Sequence, residues 1–132
     1  RGGKRVIDLQ SGAVKVADDL CVHPHFTFED FKKTGFYNNQ NEVRVICLDE
    51  IQVIDNRKYA VSLFFRDKRI SVLSLLCCDE EYSHETEEER KIIHDMILRE
   101  LNIIGYKKFS WGQISSNYDP KGNISSICVE YY

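Results

Sequence analysis

The stretch CCDEEYSHETEEERKIIHD, residues 77–95, holds the densest group of chemically useful side chains in the chain. Thiolates, imidazoles and carboxylates are the ligands that zinc prefers, so a metal site here would use Cys78, Asp79, His84 and His94. Adjacent cysteines in a strand point to opposite faces, and HETEEERKIIH does not match the HExxH spacing. We therefore predict neither a metal site nor a cofactor.

Charge is the second feature of this stretch. Residues 79–89 carry seven acidic side chains and no basic one, so they contribute −7 to a net charge of −3 and leave +4 elsewhere. Clustered acids speed the encounter with a basic protein and exclude other partners. The candidate contacts for such a partner are Asp79, Glu80, Glu81, Glu85 and Glu88. The alternative interpretation is an ordinary solvated surface at a helix start.

Two other arrangements could support catalysis in a small enzyme. Glu100 falls among apolar positions of a predicted helix, so a buried carboxylate there could act with His94 as an acid or base. The alternative is a position at the edge of the apolar stripe, from which Glu100 reaches solvent. His23 and His25 would share a face in extended backbone, and otherwise they are surface residues. The chain contains no G-x-S-x-G, P-loop or G-x-G-x-x-G pattern.

Hydrophobic periodicity predicts the elements that position these residues. The predicted strands are residues 6–9, 13–16, 42–54, 57–65, 69–77, 109–118 and 124–131. Thr27 with Asp30 forms a capping-box pattern for a short helix, and Thr86 with Glu89 does so for a long one. The predicted apolar stripe of the long helix consists of Ile92, Ile93, Met96, Ile97, Leu101 and Ile104.

The element order β-β-α-β-β-β-α-β-β predicts an α+β fold with a mainly antiparallel sheet of five to seven strands, packed by one long and one short helix. We predict one globular domain over residues 1–132. Apolar pairs at 64–65 and 75–76 predict that both faces of the sheet are covered. The sequence leaves the strand order and the oligomeric state open.

The cellular compartment is predicted from two absences and from the cysteines. No apolar run approaches the length of a membrane span, and the first residues do not match a signal peptide. The five cysteines are irregularly spaced. We therefore expect a cytoplasmic protein whose cysteines are reduced and mostly buried.

The last two predicted strands mix aromatic and polar residues. Trp111 and Tyr118 are candidate partner contacts, because Trp and Tyr are enriched among binding hot spots. The equal alternative is that the aromatic residues belong to the core and the serines face solvent.

The acidic DEEYSHETEEE and the terminal WGQISSNYDPKGNISSICVEYY, in a small α+β domain, resemble bacterial immunity proteins of polymorphic-toxin and contact-dependent growth inhibition systems. The resemblance concerns overall character over most of the chain. It implies a non-catalytic cytoplasmic protein that neutralises one cognate toxin domain by direct binding. A basic toxin domain, such as a nuclease, would suit the acidic segment. The chain itself lacks the basic surface charge of a nucleic-acid-binding protein.

Overall fold

The fold is α+β, as predicted, and is built on a mainly antiparallel sheet. The structure is a computed structural model that describes residues 7–41, 43–81 and 84–132, with the backbone alone at residue 84. The strands are β1 (Val14–Ala17), β2 (Leu20–Val22), β3 (Val45–Cys47), β4 (Gln52–Ile54), β5 (Arg57–Arg66), β6 (Arg69–Cys77), β7 (Tyr106–Phe109), β8 (Gly112–Asp119) and β9 (Ile124–Tyr131). The helices are α1 (Phe28–Lys32) and α2 (Glu87–Glu100), and a 3-10 turn at His84–Thr86 precedes α2.

Seven strands form one sheet in the order β3-β5-β6-β9-β8-β7, and β4 also pairs with β5. The β1–β2 hairpin is separate. Two-residue turns join β4 to β5 and β5 to β6, at Asp55-Asn56 and Asp67-Lys68, and all four residues have φ between 50° and 66°. Such left-handed turns match the natural twist of antiparallel strands and fix the register of the predicted meander.

The observed order contains two more strands than predicted. The predicted strand 42–54 is interrupted by exposed Asp49 and Glu50, which separates β3 from β4, while residue 42 itself lies outside the described residues. The predicted strand 109–118 corresponds largely to β8, but the chain reverses at Ser110-Trp111 and a further strand, β7, precedes the reversal.

The first hairpin was also predicted in the wrong place. Val14 bridges Ile7 at one isolated position, and β1 pairs with β2 instead; residue 6 lies outside the described residues. The Asp8 carboxylate accepts hydrogen bonds from the backbone amides of Gln10 and Ser11, at 2.9 and 3.4 Å. These bonds close a turn, so the segment around Asp8 does not continue as a strand.

Alternation along the long strands divides the sheet into two faces. The covered face packs against α2, α1 and the β1–β2 hairpin, and it includes Tyr59, Val61, Leu63, Phe65, Leu73, Leu75, Ile114, Ile127 and Val129. The open face carries Ala60, Ser62, Phe64, Val72, Ser74, Leu76, Gln113, Ser115, Asn117, Ser126, Cys128 and Glu130. The prediction that both faces are covered is wrong, since no described helix or hairpin packs on the open face and Phe64 there is 36% exposed.

One end of the covered face is closed by α1. The predicted capping box is present: the Thr27 hydroxyl accepts from the Asp30 amide at 3.1 Å, and the Asp30 carboxylate accepts from the Thr27 amide at 3.0 Å. The helix directs Phe28 and Phe31 against Phe65, with ring centroids 5.6 and 6.3 Å apart. This aromatic cluster fixes the α1 end of the core.

The other end of the covered face is closed by α2, whose predicted details were partly wrong. Thr86 has ψ 15° and makes no side-chain cap bond, because the 3-10 turn leads into the helix and capping needs an extended residue. The predicted stripe is half right, because Ile93, Ile97 and Leu101 pack in or against the core, whereas Ile92, Met96 and Ile104 are exposed and Ile104 lies beyond the end of α2. The residues that α2 buries are Glu87, His94, Ile97 and Leu98.

Two further findings bear on the compartment prediction. Among the described residues, no helix is long and apolar enough to cross a bilayer. All five cysteines are free thiols, but only Cys77 is buried: Cys78 and Cys128 are partly exposed, and Cys21 and Cys47 are exposed, so the prediction that the cysteines are mostly buried is wrong.

Candidate functional site at the acidic segment

The acidic segment, residues 79–89, connects the end of β6 to the first turn of α2, and it is attached to the sheet near its start. Asp79 Oδ1 accepts a hydrogen bond from the Lys58 backbone amide at 2.7 Å. Asp79 Oδ2 lies 3.5 Å from Arg57 Nη1. Asp79 was predicted to contact a partner, but its carboxylate serves the start of β5.

The second attachment is Glu87, which the sequence analysis did not single out. Its Oε2 accepts from both the backbone amide and the hydroxyl of Ser125, each at 2.8 Å, and lies 3.5 Å from Arg90 Nη1. Glu87 is only 5% exposed. Two hydrogen bonds and an adjacent guanidinium compensate this buried carboxylate, so it ties α2 to β9.

The remaining predicted acidic contacts lie between or beside these two attachments. Glu80, Glu81, Glu85 and Glu88 are all exposed. The segment therefore divides its seven acids by role: two hold the backbone to the sheet, and the others face solvent. Glu80 and Glu81 therefore follow one attachment directly, and Glu88 follows the other.

The structure brings Tyr118 to this segment. Tyr118 pairs with Ser125 across β8 and β9, and Ser125 is the residue that binds Glu87. Tyr118 is 42% exposed, and its hydroxyl donates to Asn123 Oδ1 at 2.6 Å. A positioned, half-exposed aromatic ring therefore flanks the acids.

Trp111 lies elsewhere. It precedes β8, seven residues from Tyr118, which corresponds to about 24 Å along an extended strand. It is 9% exposed, its indole N–H donates to the Leu9 carbonyl at 2.8 Å, and its ring stacks on Phe109 at 5.0 Å. The core interpretation therefore applies to Trp111, which does not share a surface with the acidic segment.

His94, a candidate acid or base, is enclosed on the covered face. It is 0% exposed, and its Nε2 accepts from the Cys77 backbone amide at 3.0 Å. Burial, reinforced by the charge of Arg90, lowers the pKa of His94 to about 4. The imidazole is thus neutral at pH 7 and out of reach of a substrate.

Glu100 is exposed to solvent, which agrees with the alternative interpretation that it lies at the edge of the apolar stripe. Its side chain is 62% exposed and lies 3.3 Å from Arg57 Nη2. Burial alone would lower the pKa of Arg57, but the carboxylate of Glu100 and other nearby groups outweigh it, and the pKa is raised. Glu100 and His94 therefore do not form a shared site.

His23 and His25 are close but do not share a face of extended backbone. The Phe26 amide donates to the His23 carbonyl at 2.9 Å, which makes residues 23–26 a turn. His23 Nδ1 accepts from the His25 amide at 3.2 Å. Both residues line an open depression of about 590 Å³ that also includes Arg69.

Neither metal-ligating residues nor similarity to a known protein adds information about this site. No three His, Cys, Asp or Glu side chains of the described residues are grouped so that they could hold a metal ion. No protein-family model matches the chain, and neither a curated protein nor a solved structure matches it. The site must therefore be interpreted from its own geometry.

Proposed function

We propose that this chain is a non-catalytic cytoplasmic binding protein of the immunity type, which neutralises a basic toxin domain by direct contact through the acidic segment. The observation that carries the proposal is the division of labour among the acids. Asp79 and Glu87 fix the two ends to the sheet, while Glu80, Glu81, Glu85 and Glu88 are exposed. An acidic surface held in this way suits a partner whose own active or docking surface is positive.

The fixed ends reduce the entropy that binding would otherwise cost. A flexible acidic loop must be ordered when it meets its partner, and that ordering subtracts from affinity. Here the β6 end is held by the Lys58 amide, and the α2 end by two bonds from Ser125. The exposed acids then accelerate encounter, and the ring of Tyr118 supplies apolar contact area at their edge.

The test begins with capture of a partner from lysate of the source cells on tagged wild-type protein, at low and at raised salt, followed by mass spectrometry. We expect one basic protein, whose retention falls as salt rises because exposed charges are screened. That protein is then expressed alone and together with this chain. Toxicity alone and growth on co-expression are the expected result.

The decisive variant reverses exposed acids without touching the attachments. E80K/E81K/E88K should lose protection and weaken binding by at least tenfold, whereas D18K/D49K/E50K makes the same change in net charge at exposed acids elsewhere and should protect fully. Equal protection by both triple variants would show that the acidic segment is not the contact surface.

Tyr118 provides a second measurement that does not depend on charge. Truncation of a half-exposed aromatic contact at an interface commonly costs 10-fold or more, so we expect Y118A to weaken binding by about 10- to 100-fold with an unchanged salt dependence. Isothermal titration against the captured partner at two salt concentrations measures both quantities. Y132A, which changes an exposed tyrosine after β9, is the control.

A further inference from the structure

The open face of the sheet is an extended surface that the described elements leave uncovered. One row of residues crosses all six strands of the main path, each paired in register with the next: Cys47, Ser62, Ser74, Cys128, Ser115 and Tyr106. All but the last of these have small side chains. A row of small side chains lets a second sheet approach closely, as facing sheets do in β-sandwiches.

The surroundings of this central row are poor in charge. Of the open-face positions within two residues of the central row on β5, β6, β8 and β9, Glu130 alone is charged. Apolar Phe64, Val72 and Leu76 flank the row, and none of them is fully buried. Depletion of charge in the centre of a surface is typical of the core of a protein–protein interface.

Ser115 leaves a polar group unsatisfied on this face. Its side chain is 4% exposed, and its hydroxyl has no hydrogen-bond partner among the described residues. A buried hydroxyl without a partner is costly and uncommon in native proteins. A hydroxyl from outside the chain would satisfy it.

The pattern on either side of the central row is self-complementary. On β5, β6, β8 and β9, one open-face residue lies two positions before the central residue and another lies two positions after it. The two side chains of each such pair would make a favourable contact if they met across an interface. The pairs are Phe64 with Ala60, Val72 with Leu76, Gln113 with Asn117, and Glu130 with Ser126. In the same order, these pairs combine a large with a small side chain, two apolar side chains, two amides, and a carboxylate with a hydroxyl.

We propose that the open face binds the open face of a second copy of this chain, with a two-fold axis along the central row. Rotation about that axis reverses the strand direction of the second copy. Each residue two positions before the row in one copy therefore lies opposite the residue two positions after the row in the other copy. Ser115 then lies opposite Ser115 of the second copy, and once the side chains that enclose it move aside, each hydroxyl can donate to or accept from the other.

The dimensions of the face suit a stable dimer. Six strands spaced about 4.8 Å apart, over six residues of about 3.4 Å, give a patch of about 24 by 20 Å. In plan this is about 480 Å² per partner, so the two partners together would bury about 1,000 Å², the least that a specific interface is expected to bury. The acidic segment follows the end of β6, so the dimer and the proposed function are independent of one another.

The oligomeric state in solution tests the dimer. Analytical ultracentrifugation at about 50 µM should give twice the chain mass of 15.4 kDa. S74R places a long cation in the centre of the row and should give a monomer. S110R makes the same substitution at an exposed turn and should remain a dimer. F64K, at a residue that already contacts solvent, should weaken the dimer at least tenfold and applies even if S74R fails to fold.

Cys47 tests the position of the axis. It lies in the central row and is exposed, so a short bis-maleimide should link it to Cys47 of the second copy, and C47S should abolish that link while C21S should not. A wild-type monomer overturns the proposal, and so does a dimer that S74R and F64K leave intact. A monomer whose open face captures a different protein would also overturn it, because the occupant would not be a second copy.

Discussion

Leu75 and Leu76 are consecutive residues of one strand with the same side chain and opposite environments. Leu75 lies on the covered face and is 1% exposed, whereas Leu76 lies on the open face and is only partly buried. The covered face is closed by two helices and a hairpin, and it even buries ionisable groups. The open face carries mostly neutral side chains, with small ones along most of its central row. Composition alone therefore does not reveal which face of a strand packs into the core.

Truncation of the two leucines should affect stability very differently. L75A should lower the free energy of unfolding by about 3 kcal/mol, because a buried cavity is left on the covered face. L76A should cost about 1 kcal/mol or less in the monomeric S74R background, where that side chain stays half in water.

Urea denaturation of the single and combined variants measures both values. In the wild-type background, the cost of L76A should grow with protein concentration, because Leu76 becomes buried in the dimer. Equal costs for the two leucines at every concentration would mean that the faces do not differ as described.

His94 tests the cost of a buried base on the covered face. Its pKa is about 4 in the folded chain against 6.5 in the reference state, so between these values the unfolded chain binds the extra proton. The stabilising contribution is complete above pH 6.5 and is lost as the pH falls toward 4, by about 3 kcal/mol at most.

Urea denaturation from pH 7.5 to pH 4 should show a steeper loss of stability in wild type than in H94Q. Glutamine can still accept the Cys77 amide bond but does not titrate. H25Q, at an exposed histidine, should follow wild type. Parallel curves for wild type and H94Q would show that His94 does not contribute this pH dependence.

Glu87 and Glu88 are consecutive residues in the first turn of α2, but Glu87 is buried and Glu88 is exposed. E87Q should lower the free energy of unfolding by about 1–2 kcal/mol, since it weakens two charge-assisted bonds to Ser125 and the contact with Arg90. E88Q, at an exposed neighbour, should change stability by no more than about 0.5 kcal/mol. Thermal melts at pH 7 compare them, and a neutral E87Q would contradict the role of Glu87 as an attachment.

Glu100 should give the smallest effect. Its ion pair with Arg57 is largely solvated, so E100Q should cost about 0.5 kcal/mol or less, and 0.5 M salt should remove the difference. A larger effect that persists in salt would mean that Glu100 has a buried role, which its exposure does not predict. The same melts measure it.

The long elements were predictable because local signals determine them. Strict alternation predicted β5, β6 and β9 with nearly the observed bounds, and the Thr27–Asp30 capping box predicted the start of α1. The concentration of acids at 79–89 was equally visible. These features depend on residues within a few positions of one another, so a single sequence contains them.

The roles of individual acids were not predictable. Glu80 and Glu87 have identical side chains, but Glu87 alone meets Ser125, a residue 38 positions away. The buried face of α2 contains Glu87 and His94, and an apolar pattern cannot identify polar residues as core. Trp111 was ambiguous for the same reason, because its burial depends on Leu9, which is 102 positions away.

By itself, the sequence determined the α+β class, the antiparallel meander, the short and long helices and the place where negative charge collects. Only the tertiary structure decided which face of the sheet is closed, which acids hold the segment in place, and where Tyr118 and Trp111 lie. The physical reason is that periodicity and capping are local, whereas burial and hydrogen-bond partners are set by contacts between distant parts of the chain.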